Sequence, residues 1–512
     1  MVPLDAGVDR HHCQHGDGAG VIRRRHIRKR SSYLLDTVIV LVGLFCLLKL
    51  LRIVLTLHLR VPLDPNEGWN AYFAEATQVG GPLYPDPNTY LVNNYPPLSF
   101  YLVGSVGRLF GDNILAGRII STLAFLSLAG AIWLAARRMD CGIRAASFAA
   151  LLLSAYLLAL TDYVGMNDPQ LLGHALSTVG MIFLLGEPRS ERGIFWAALL
   201  LSLAFFTKHN LIALPLALVL WLEFYDPRSA LRLALWGAIF LTVGLFGFRL
   251  SYASDLLMQL HTARVYSFEH LANGISQWLA WAFVPLLATA LLVWSKRHDK
   301  YAVLCGMYVA TSFLLGAIFM SGAGVDLNAL FDADMGLALA AGQVAEHWQN
   351  KGLMQLTGTL AAYVIPLIFG LWQASGGEWL NVRYWFKPLA NEAHIAARDV
   401  AFLGARKGPV LCEEQALCYW AGKRSEVDVF NLGQQFATQD RNDGELVGLL
   451  KKRHYAALQF YSLKLKDFLL TRRVREAVLR SYRIDHVDDQ GTFLLPLVKQ
   501  GSSGKMRMMG KP

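Results

Sequence analysis

Eleven apolar runs recur between residues 33 and 374, and they constrain the fold more than any other feature. Most approach the roughly 17–25 residues that a helix needs to cross a bilayer, where helices satisfy their own backbone hydrogen bonds. Only 17% of the residues are charged, against about 25% in soluble domains. We therefore predict a mainly α, polytopic membrane protein with about eleven transmembrane helices, in a range of about ten to thirteen. The runs lie near residues 33–57, 115–136, 145–160, 171–186, 193–207, 210–225, 232–249, 277–294, 301–320, 335–346 and 353–374.

Basic residues mark every second segment between these runs. Six of them fall within residues 23–30, ahead of the first run, which by the positive-inside rule places the N-terminus in the cytoplasm. Residues 161–170 and 321–334 contain aspartates and no Lys or Arg. We expect these acidic loops to face outward. The basic segments contain Arg137, Arg138 and Arg144, then Arg189 and Arg192, then Arg228 and Arg232, then Lys296, Arg297 and Lys300, and finally Lys351.

The remaining sequence divides into tails, one long loop and a C-terminal domain. An odd number of spans places the C-terminal domain outside, and long domains cross the membrane largely regardless of their charge. Its short alternating apolar runs predict a small mixed α/β fold. The predicted divisions are a disordered basic cytoplasmic tail at 1–30, a transmembrane module at 31–376 with an outward loop at 58–114, an extracytoplasmic α/β domain at 380–500 and a disordered tail at 501–512.

The formal net charge of +10 and the pI near 9.2 indicate attraction to anionic membrane lipids. No nucleic-acid-binding motif is present, so we expect no nucleic acid partner.

No apolar core of a cleavable signal peptide occurs in the first 30 residues, and the first run is long enough to remain as an anchor. The sequence therefore predicts an integral protein of the cytoplasmic, or inner, membrane.

The chain has six cysteines, too few and too scattered for a disulfide framework. Only Cys412 and Cys418 share an oxidising compartment in the predicted topology, and their spacing is compatible with a disulfide. Two buried free thiols remain the alternative. No CxxC or HExxH spacing occurs, so the sequence predicts no metal site and no cofactor.

The outward loop begins with two acidic residues, Asp64 and Glu67, on either side of Pro65. This spacing predicts a helix that starts with an N-cap aspartate, proline at the first helical position and a capping-box glutamate. The helix should end near Gly80. Capping explains both carboxylates without catalysis, whereas their position at the membrane surface makes either one a candidate general base. Both interpretations remain open.

The same loop continues with Tyr95-Pro96-Pro97-Leu98, an Arg-Leu-Phe-Gly turn at 108–111 and Ala116-Gly117-Arg118. This succession resembles the protein O-mannosyltransferases and the bacterial lipid A aminoarabinose transferases, which share a C-type glycosyltransferase fold. The resemblance implies a catalytic aspartate at the head of the loop. The acidic pair of the relatives falls here on Asn66 and Glu67, so Asp64 becomes the alternative source of that carboxylate.

A second segment, 205–218, resembles the family's Thr-Lys-Gly-Pro run. The resemblance implies that Lys208 binds the phosphate of a polyprenyl carrier, a charge-assisted contact. A lysine that snorkels from the end of a helix is the alternative. Arg118 and Arg264 are further candidates for the same phosphate. Relatives place Glu-Lys before Pro-Pro, where this chain has Asn94-Tyr95, so their phosphate-contacting lysine is absent at that position.

The acidic outward loops 161–170 and 321–334 resemble site-lining loops of bacterial members of the family. Asp168 precedes Pro169, so it is also explained as the cap of the next helix. The resemblance as a whole covers about residues 33–380. The residues that it suggests as possible site-lining side chains are His209, Asp162, Asp168, Asn167, Tyr95 and Asn328.

These features together predict an inverting glycosyltransferase. It would transfer a sugar from a polyprenyl-phosphate donor to a lipid, glycan or protein acceptor on the outer face of the membrane, with a loop carboxylate as general base. A lipid-linked glycan polymerase or ligase is the alternative, although a ligase is expected to have its large loop late in the chain. A transporter or a scaffold is a further alternative, but the two similar halves usual in transporters are not evident.

Overall fold

The computed structural model describes residues 17–252, 256–349, 352–375 and 390–497, and helices dominate it. A short 3₁₀ helix at Leu327–Leu330 ends just before Phe331. In chain order the other helices up to Ser375 are α1 (Asp17–Thr56), α2 (Asn66–Val79), α3 (Leu98–Phe110), α4 (Asn113–Arg138), α5 (Ile143–Leu160), α6 (Gln170–Ile182), α7 (Glu191–Thr207), α8 (Ala213–Tyr225), α9 (Pro227–Tyr252), α10 (Leu256–Leu260), α11 (Phe268–Ser295), α12 (Lys300–Met320), α13 (Phe331–Gln349) and α14 (Leu353–Ser375).

Each of the eleven apolar runs coincides with a helix, which confirms the mainly α membrane fold. Among the described residues, seven helices are long and apolar enough to cross a bilayer: α1 from Ser32 onward, α4, α5, α9, α11, α12 and α14. The other four predicted spans fall on α6, α7, α8 and α13, which do not meet that combination of length and hydropathy. The chain is therefore an integral membrane protein, and the number eleven remains a prediction.

The tails correspond only partly to the prediction. Helix α1 begins at Asp17, so residues 17–30, the described part of the predicted tail, are helical, and the predicted disorder remains a prediction. The apolar stretch that follows is long enough to let the helix propagate into the polar residues before it. Residues 1–16 and 501–512, where disorder was also predicted, lie outside the described residues.

Small residues hold the centre of the helical module together. Helices α5 and α13 cross at Gly342, where an added Cβ would lie 3.1 Å from the Cβ of Ala149 and 3.3 Å from the carbonyl oxygen of Ala145. Both alanines are fully buried. Small residues at such crossings allow helix backbones to approach closely, which is how membrane helices gain packing energy. The crossing lies within one large apolar cluster that links most of the long helices.

Helices α2 and α3 fill the loop between the first two long helices. Helix α2 ends at Gly80, whose φ of 70° is in the left-handed region, as the sequence predicts. Trp69, Phe73 and Phe100 form an aromatic cluster between the two helices. An added Cβ at Gly104 would lie 2.7 Å from the carbonyl oxygen of Ala74, so glycine is required for this contact. The loop is thus a packed layer that holds its polar residues in fixed positions.

The C-terminal part folds around a four-stranded sheet with strand order β1-β2-β4-β3. Strands β1 and β2 are parallel, and the other pairs are antiparallel. Cys412 and Cys418 form a disulfide, which confirms that pairing. The small α/β fold is also confirmed. Its elements are α15 (Ala390–Gly404), β1 (Val410–Cys412), α16 (Gln415–Trp420), α17 (Val429–Ala437), α18 (Gly444–Lys451), β2 (Ala457–Phe460), α19 (Arg472–Ser481), β3 (Tyr482–Asp488) and β4 (Gly491–Pro496).

This α/β part packs directly on the 58–114 loop. The indole N–H of Trp69 donates to Oδ2 of Asp428 at 3.1 Å. An added Cβ at Gly68 would lie 2.1 Å from the backbone nitrogen of Ala416, so α16 touches the first turns of α2. Because Asp64 and Glu67 lie beside Gly68 in the sequence, the C-terminal domain covers the part of the loop that carries both candidate carboxylates.

Candidate active site

Asp64 lies two residues before the first residue of α2, separated from it by Pro65, and its side chain binds the first turn. Its Oδ1 accepts the N–H of Asn66 at 2.8 Å, and its carbonyl oxygen accepts the N–H of Glu67 at 3.0 Å. The predicted N-cap role of Asp64 therefore matches the geometry. Its second oxygen, Oδ2, accepts no hydrogen bond from the described residues, and the residue is only half-buried. One carboxylate oxygen thus remains free to accept a proton.

The surroundings of Asp64 favour the protonated form of its carboxyl. Burial raises its pKa from the ordinary value of 3.8 to about 6, against the lowering effect of the hydrogen bond from Asn66. The charges of Asp168 and Glu67 raise the pKa further. A carboxylate with a pKa near 6 is a stronger base than an ordinary aspartate and is still largely deprotonated at neutral pH.

Glu67 is fully buried, at 0% exposure, and both of its carboxylate oxygens are occupied. Arg118 donates from Nε to Oε1 at 2.7 Å and from Nη2 to Oε2 at 2.6 Å. The backbone N–H of Asn167 and that of Leu63 each donate to one oxygen at 3.0 Å. The predicted capping box would have Glu67 accept the N–H of Asp64. In the structure Glu67 accepts the N–H of Leu63 instead. The geometry favours a structural role for Glu67.

The guanidinium of Arg118 is equally saturated. All five of its N–H groups are used, two on Glu67 and three on backbone carbonyl oxygens of the segment after α1, and the residue is 1% exposed. It therefore has no free N–H group with which to bind the phosphate of the lipid-linked sugar, the role that the resemblance suggests. Instead, Arg118 connects α4 to α2 and to residues 57–61, the segment that directly follows α1. The three carbonyl contacts are to Leu57 at 3.2 Å, Leu59 at 2.7 Å and Val61 at 2.6 Å.

Asn167 joins the 161–170 loop to the pair of Glu67 and Arg118. Its Nδ2 donates to the carbonyl oxygen of Glu67 at 3.0 Å, and its own carbonyl oxygen accepts from Nδ2 of Asn70 at 2.8 Å. An added Cβ at Gly117 would lie 1.7 Å from Oδ1 of Asn167. Gly117 is thus required beside Arg118, because any side chain there would push the loop away from α2.

Lys208 follows α7 and is held by Asp168. Its Nζ lies 2.8 and 3.1 Å from the two carboxylate oxygens, and the residue is only 3% exposed. Asp168 also accepts the N–H of Gln170 at 2.7 Å, so it caps α6 and binds Lys208 at the same time. The ring centre of Tyr95 lies 4.9 Å from Nζ. A buried ion pair of this kind is different from a lysine that snorkels into water.

Two further side chains lie near Tyr95, the imidazole of His209 and the guanidinium of Arg264. Burial lowers the pKa of His209 to about 4, with help from the charges of Lys208 and Arg264, so its imidazole is neutral at pH 7. Burial also lowers the pKa of Arg264. To the described residues Arg264 makes one hydrogen bond, from Nη1 to the carbonyl oxygen of Ala323 at 3.3 Å. Unlike Arg118, it keeps donors for a ligand.

Asp162 and Asn328 are the two remaining predicted site-lining residues. Burial raises the pKa of Asp162, and the charge of Asp326 raises it further. The charge of Asp326 also raises the pKa of Asp64. Asn328 donates from Nδ2 to Oε1 of Gln170 at 3.1 Å, which connects it to the Asp168 turn. The structure therefore brings together Asp64, Asn167, Asp168, Lys208, Tyr95, His209 and Arg264. Asp162 is connected to Asp64 through the nearby charge of Asp326.

The C-terminal domain adds two acidic groups that the sequence did not suggest. Glu414 is buried, its Oε1 accepts the N–H of Ala416 at 3.0 Å, and its Oε2 accepts the hydroxyl of Tyr461. Burial raises its pKa to about 8, and the charge of Asp64 contributes. Burial raises the pKa of Glu413 to about 7. The only sequence signal was their position between the two cysteines of the disulfide.

Comparison with known structures identifies the fold. The crystal structure of ArnT from Cupriavidus metallidurans in the apo state aligns with a TM-score of 0.59 at 16% identity, covering 90% of this chain and 98% of that one. The same protein bound to undecaprenyl phosphate gives 0.58 at 14% identity, covering 89% and 97%. The chain has a C-type glycosyltransferase fold. The Archaeoglobus fulgidus oligosaccharyltransferase tethered to an acceptor peptide gives 0.50 at 13% identity, covering 90% and 74%.

The sequence comparison agrees with this fold. Residues 94–252 match the dolichyl-phosphate-mannose-protein mannosyltransferase family, a stretch that includes Tyr95, Arg118, Asp168 and Lys208. This match confirms the predicted resemblance and the predicted enzyme class, a glycosyltransferase, while the structural matches show the C-type fold. Comparison with curated proteins gives no significant match.

Proposed function

We propose that the protein transfers a sugar from a polyprenyl-phosphate donor to an acceptor on the outer face of the cytoplasmic membrane, with inversion at the anomeric carbon. The observation that carries the proposal is the pairing of a carboxylate with a free oxygen, Asp64, and a buried cation, Lys208, linked through the charge of Asp168. The match to the mannosyltransferase family and the likeness to an ArnT that binds undecaprenyl phosphate support it.

Asp64 is proposed as the general base. Its Oδ2 takes the proton of an acceptor hydroxyl or amine while that oxygen or nitrogen attacks the anomeric carbon. The bond from the anomeric carbon to the phosphate oxygen breaks in the same step, and the electron pair leaves with the polyprenyl phosphate. Attack and departure on opposite faces of the sugar give inversion. The acceptor is a lipid, a glycan or a protein.

Lys208 and Arg264 are proposed to bind the donor phosphate. Negative charge develops on the leaving oxygen, and fixed cations at that point stabilise the transition state. Lys208 already contacts Asp168, so the phosphate would share the ammonium group with that carboxylate. Arg264 has N–H groups that bond to none of the described residues, and Tyr95 interacts with both cations.

The proposed function is tested by mass spectrometry of the cell envelope. A strain without the gene is expected to lack one sugar on an envelope lipid, glycan or protein, because no other step would deliver it from the lipid carrier. The wild-type gene should restore the sugar, and a copy with Asp64→Asn should not. An unchanged envelope, together with no loss of donor lipid by the purified protein, would contradict the proposal.

Replacement of Lys208 by Gln is expected to weaken the use of the lipid-linked donor. Loss of one charge-assisted contact should raise KM or lower kcat by about 10- to 150-fold, or ~1.5–3 kcal/mol. Because the change also leaves Asp168 buried without its partner, the matched control is the double variant Lys208→Gln/Asp168→Asn. If the double variant regains native KM and kcat, Lys208 acts only as the partner of Asp168.

The orientation is a separate expectation. The alternating basic loops place the N-terminus inside and both the 58–114 loop and the C-terminal domain outside. Alkaline phosphatase fused after residue 497 should be active, whereas the same enzyme fused after Asp140, on a basic loop, should be inactive. The reverse pattern would place the candidate site in the cytoplasm.

A further inference from the structure

A second polar cluster lies in the C-terminal domain, on elements that contribute nothing to the site around Asp64. Asp399 lies on α15, and His486 and Asp488 lie two residues apart on the edge strand β3, so their side chains share one face of the sheet. Nε2 of His486 is 3.4 Å from Oδ1 of Asp399 and 3.8 Å from Oδ2 of Asp488. Two oxygens and one nitrogen thus converge on one point.

The imidazole of His486 is held in a fixed orientation. Its Nδ1 lies 2.9 Å from Oδ2 of Asp485, which fixes the tautomer in which Nδ1 carries the proton and Nε2 carries the lone pair. The ring stacks on Phe493 with centroids 4.4 Å apart and meets the edge of Phe402 at 4.9 Å. A carboxylate on the far nitrogen is the usual support for a metal-binding histidine.

The cluster has unsatisfied atoms and an excess of negative charge. Asp399 is fully buried, at 0% exposure, yet its Oδ2 has no hydrogen-bond donor, and neither has Nε2 of His486 within the described chain. Asp399 and Asp488 both pair with Arg398, whose side chain is 54% exposed, and Asp485 adds a third carboxylate next to His486. Burying a charge without a partner is costly. A divalent cation would supply the missing charge.

We propose that Asp399, His486 and Asp488 bind a divalent transition-metal ion, with Zn²⁺ as the best fit. In a tetrahedral site with bonds of about 2.0–2.2 Å, ligand atoms lie about 3.4 Å apart. The observed separations of 3.4 and 3.8 Å are close to that value. One imidazole and two carboxylates suit zinc and its neighbours better than calcium or magnesium, which prefer oxygen ligands throughout.

The metal would fasten α15 to β3. These two elements bring ligands from positions almost ninety residues apart in the sequence, and β3 is an edge strand with one paired neighbour. Arg398 occupies the solvent side of the cluster, where it contacts both Asp399 and Asp488. It would swing outward when the ion binds and leave the fourth position to water. This role is structural and does not depend on the proposed sugar transfer.

The competing account is an ion-pair network in which a protonated His486 and Arg398 together neutralise the aspartates. The two accounts predict opposite results for Arg398→Gln. Removing a competing cation should preserve or tighten zinc binding if the site is a metal site. In an ion-pair network the same change should lower the thermal midpoint of the domain, and no zinc would bind.

The experiment uses full-length protein in detergent, with any histidine tag removed and the disulfide kept oxidised. The protein is stripped with chelator and titrated with Zn²⁺, and bound metal is measured by plasma mass spectrometry. One zinc per chain is expected for the wild type. Asp399→Asn and His486→Gln should abolish binding, Asp485→Asn should weaken it about 10- to 100-fold, and the exposed neighbour Asp489→Asn should leave it unchanged.

Cobalt provides a readout that does not depend on mutant stability. Co²⁺ added to the stripped wild type should give the visible absorption bands of a four-coordinate site, and Zn²⁺ should displace it. A wild-type protein that binds neither metal above the level of the His486→Gln variant would overturn the proposal. So would zinc binding of equal stoichiometry and affinity in Asp399→Asn and His486→Gln, since the metal would then lie elsewhere.

Discussion

Replacing Asp64 by Asn is expected to lower the turnover of lipid-linked donor by about 10²–10⁴-fold while α2 stays intact. Asn caps helices about as well as Asp, so its side-chain oxygen can still accept the N–H of Asn66. Its amide nitrogen, however, cannot take up the proton of the acceptor. The measurement is turnover by purified variant in lipid, beside a check of its thermal midpoint against the wild type.

The pH profile distinguishes a base from a merely structural carboxylate. Only the deprotonated form of Asp64 accepts a proton, and its pKa lies near 6. The kcat/KM of the wild type should therefore rise with pH through about 6 and level off above it. The residual kcat/KM of Asp64→Asn should not show this rise with pH.

Glu67→Gln is the matched comparison for Asp64→Asn. Both oxygens of Glu67 are occupied and the residue is buried, so Gln should reduce stability more than it alters the pH dependence. If both amide variants keep near-native turnover, neither carboxylate is the base. Asp168 and Asp162 of the next outward loop then become the candidates, and the assignment of Asp64 fails.

Replacing Arg118 by Met is expected to destabilise the fold by about 3–5 kcal/mol. The change removes every hydrogen bond of the guanidinium and leaves the carboxylate of Glu67 buried without a cation. The yield of folded protein and its thermal midpoint in detergent measure the effect. Arg108→Met is the control, because Arg108 is exposed and makes one hydrogen bond, to the carbonyl oxygen of Gln78. That substitution should change stability by about 0.5 kcal/mol or less.

A double-mutant cycle separates the ion pair from the other contacts of Arg118. Adding Glu67→Gln to Arg118→Met removes the uncompensated charge, so the double variant should be more stable than the sum of the two single changes implies. Strict additivity would mean that Arg118 stabilises the fold only through the backbone carbonyls after α1. A native thermal midpoint for Arg118→Met would refute the structural role altogether.

The sequence by itself determined the features that depend on neighbouring residues. The apolar runs predicted the positions of eleven helices, because a bilayer requires each span to satisfy its own backbone within one continuous segment. Asp64 and Gly80 predicted the two ends of α2, because capping groups act on amides and carbonyls a few residues away. The spacing of Cys412 and Cys418 allowed the disulfide for the same reason.

Only the tertiary structure decided which of the predicted site residues keep a polar atom available to a substrate. The sequence suggests Glu67 as a catalytic residue and Arg118 as a phosphate-binding one, yet in the structure they neutralise each other in a buried ion pair between α2 and α4. Lys208 is likewise bound by Asp168, from another loop. The cluster of Asp399, His486 and Asp488 exists only because a helix packs on the edge strand of the sheet. Whether a charged side chain can bind a substrate depends on hydrogen-bond donors and acceptors from distant segments. A local sequence pattern does not predict which segments come into contact.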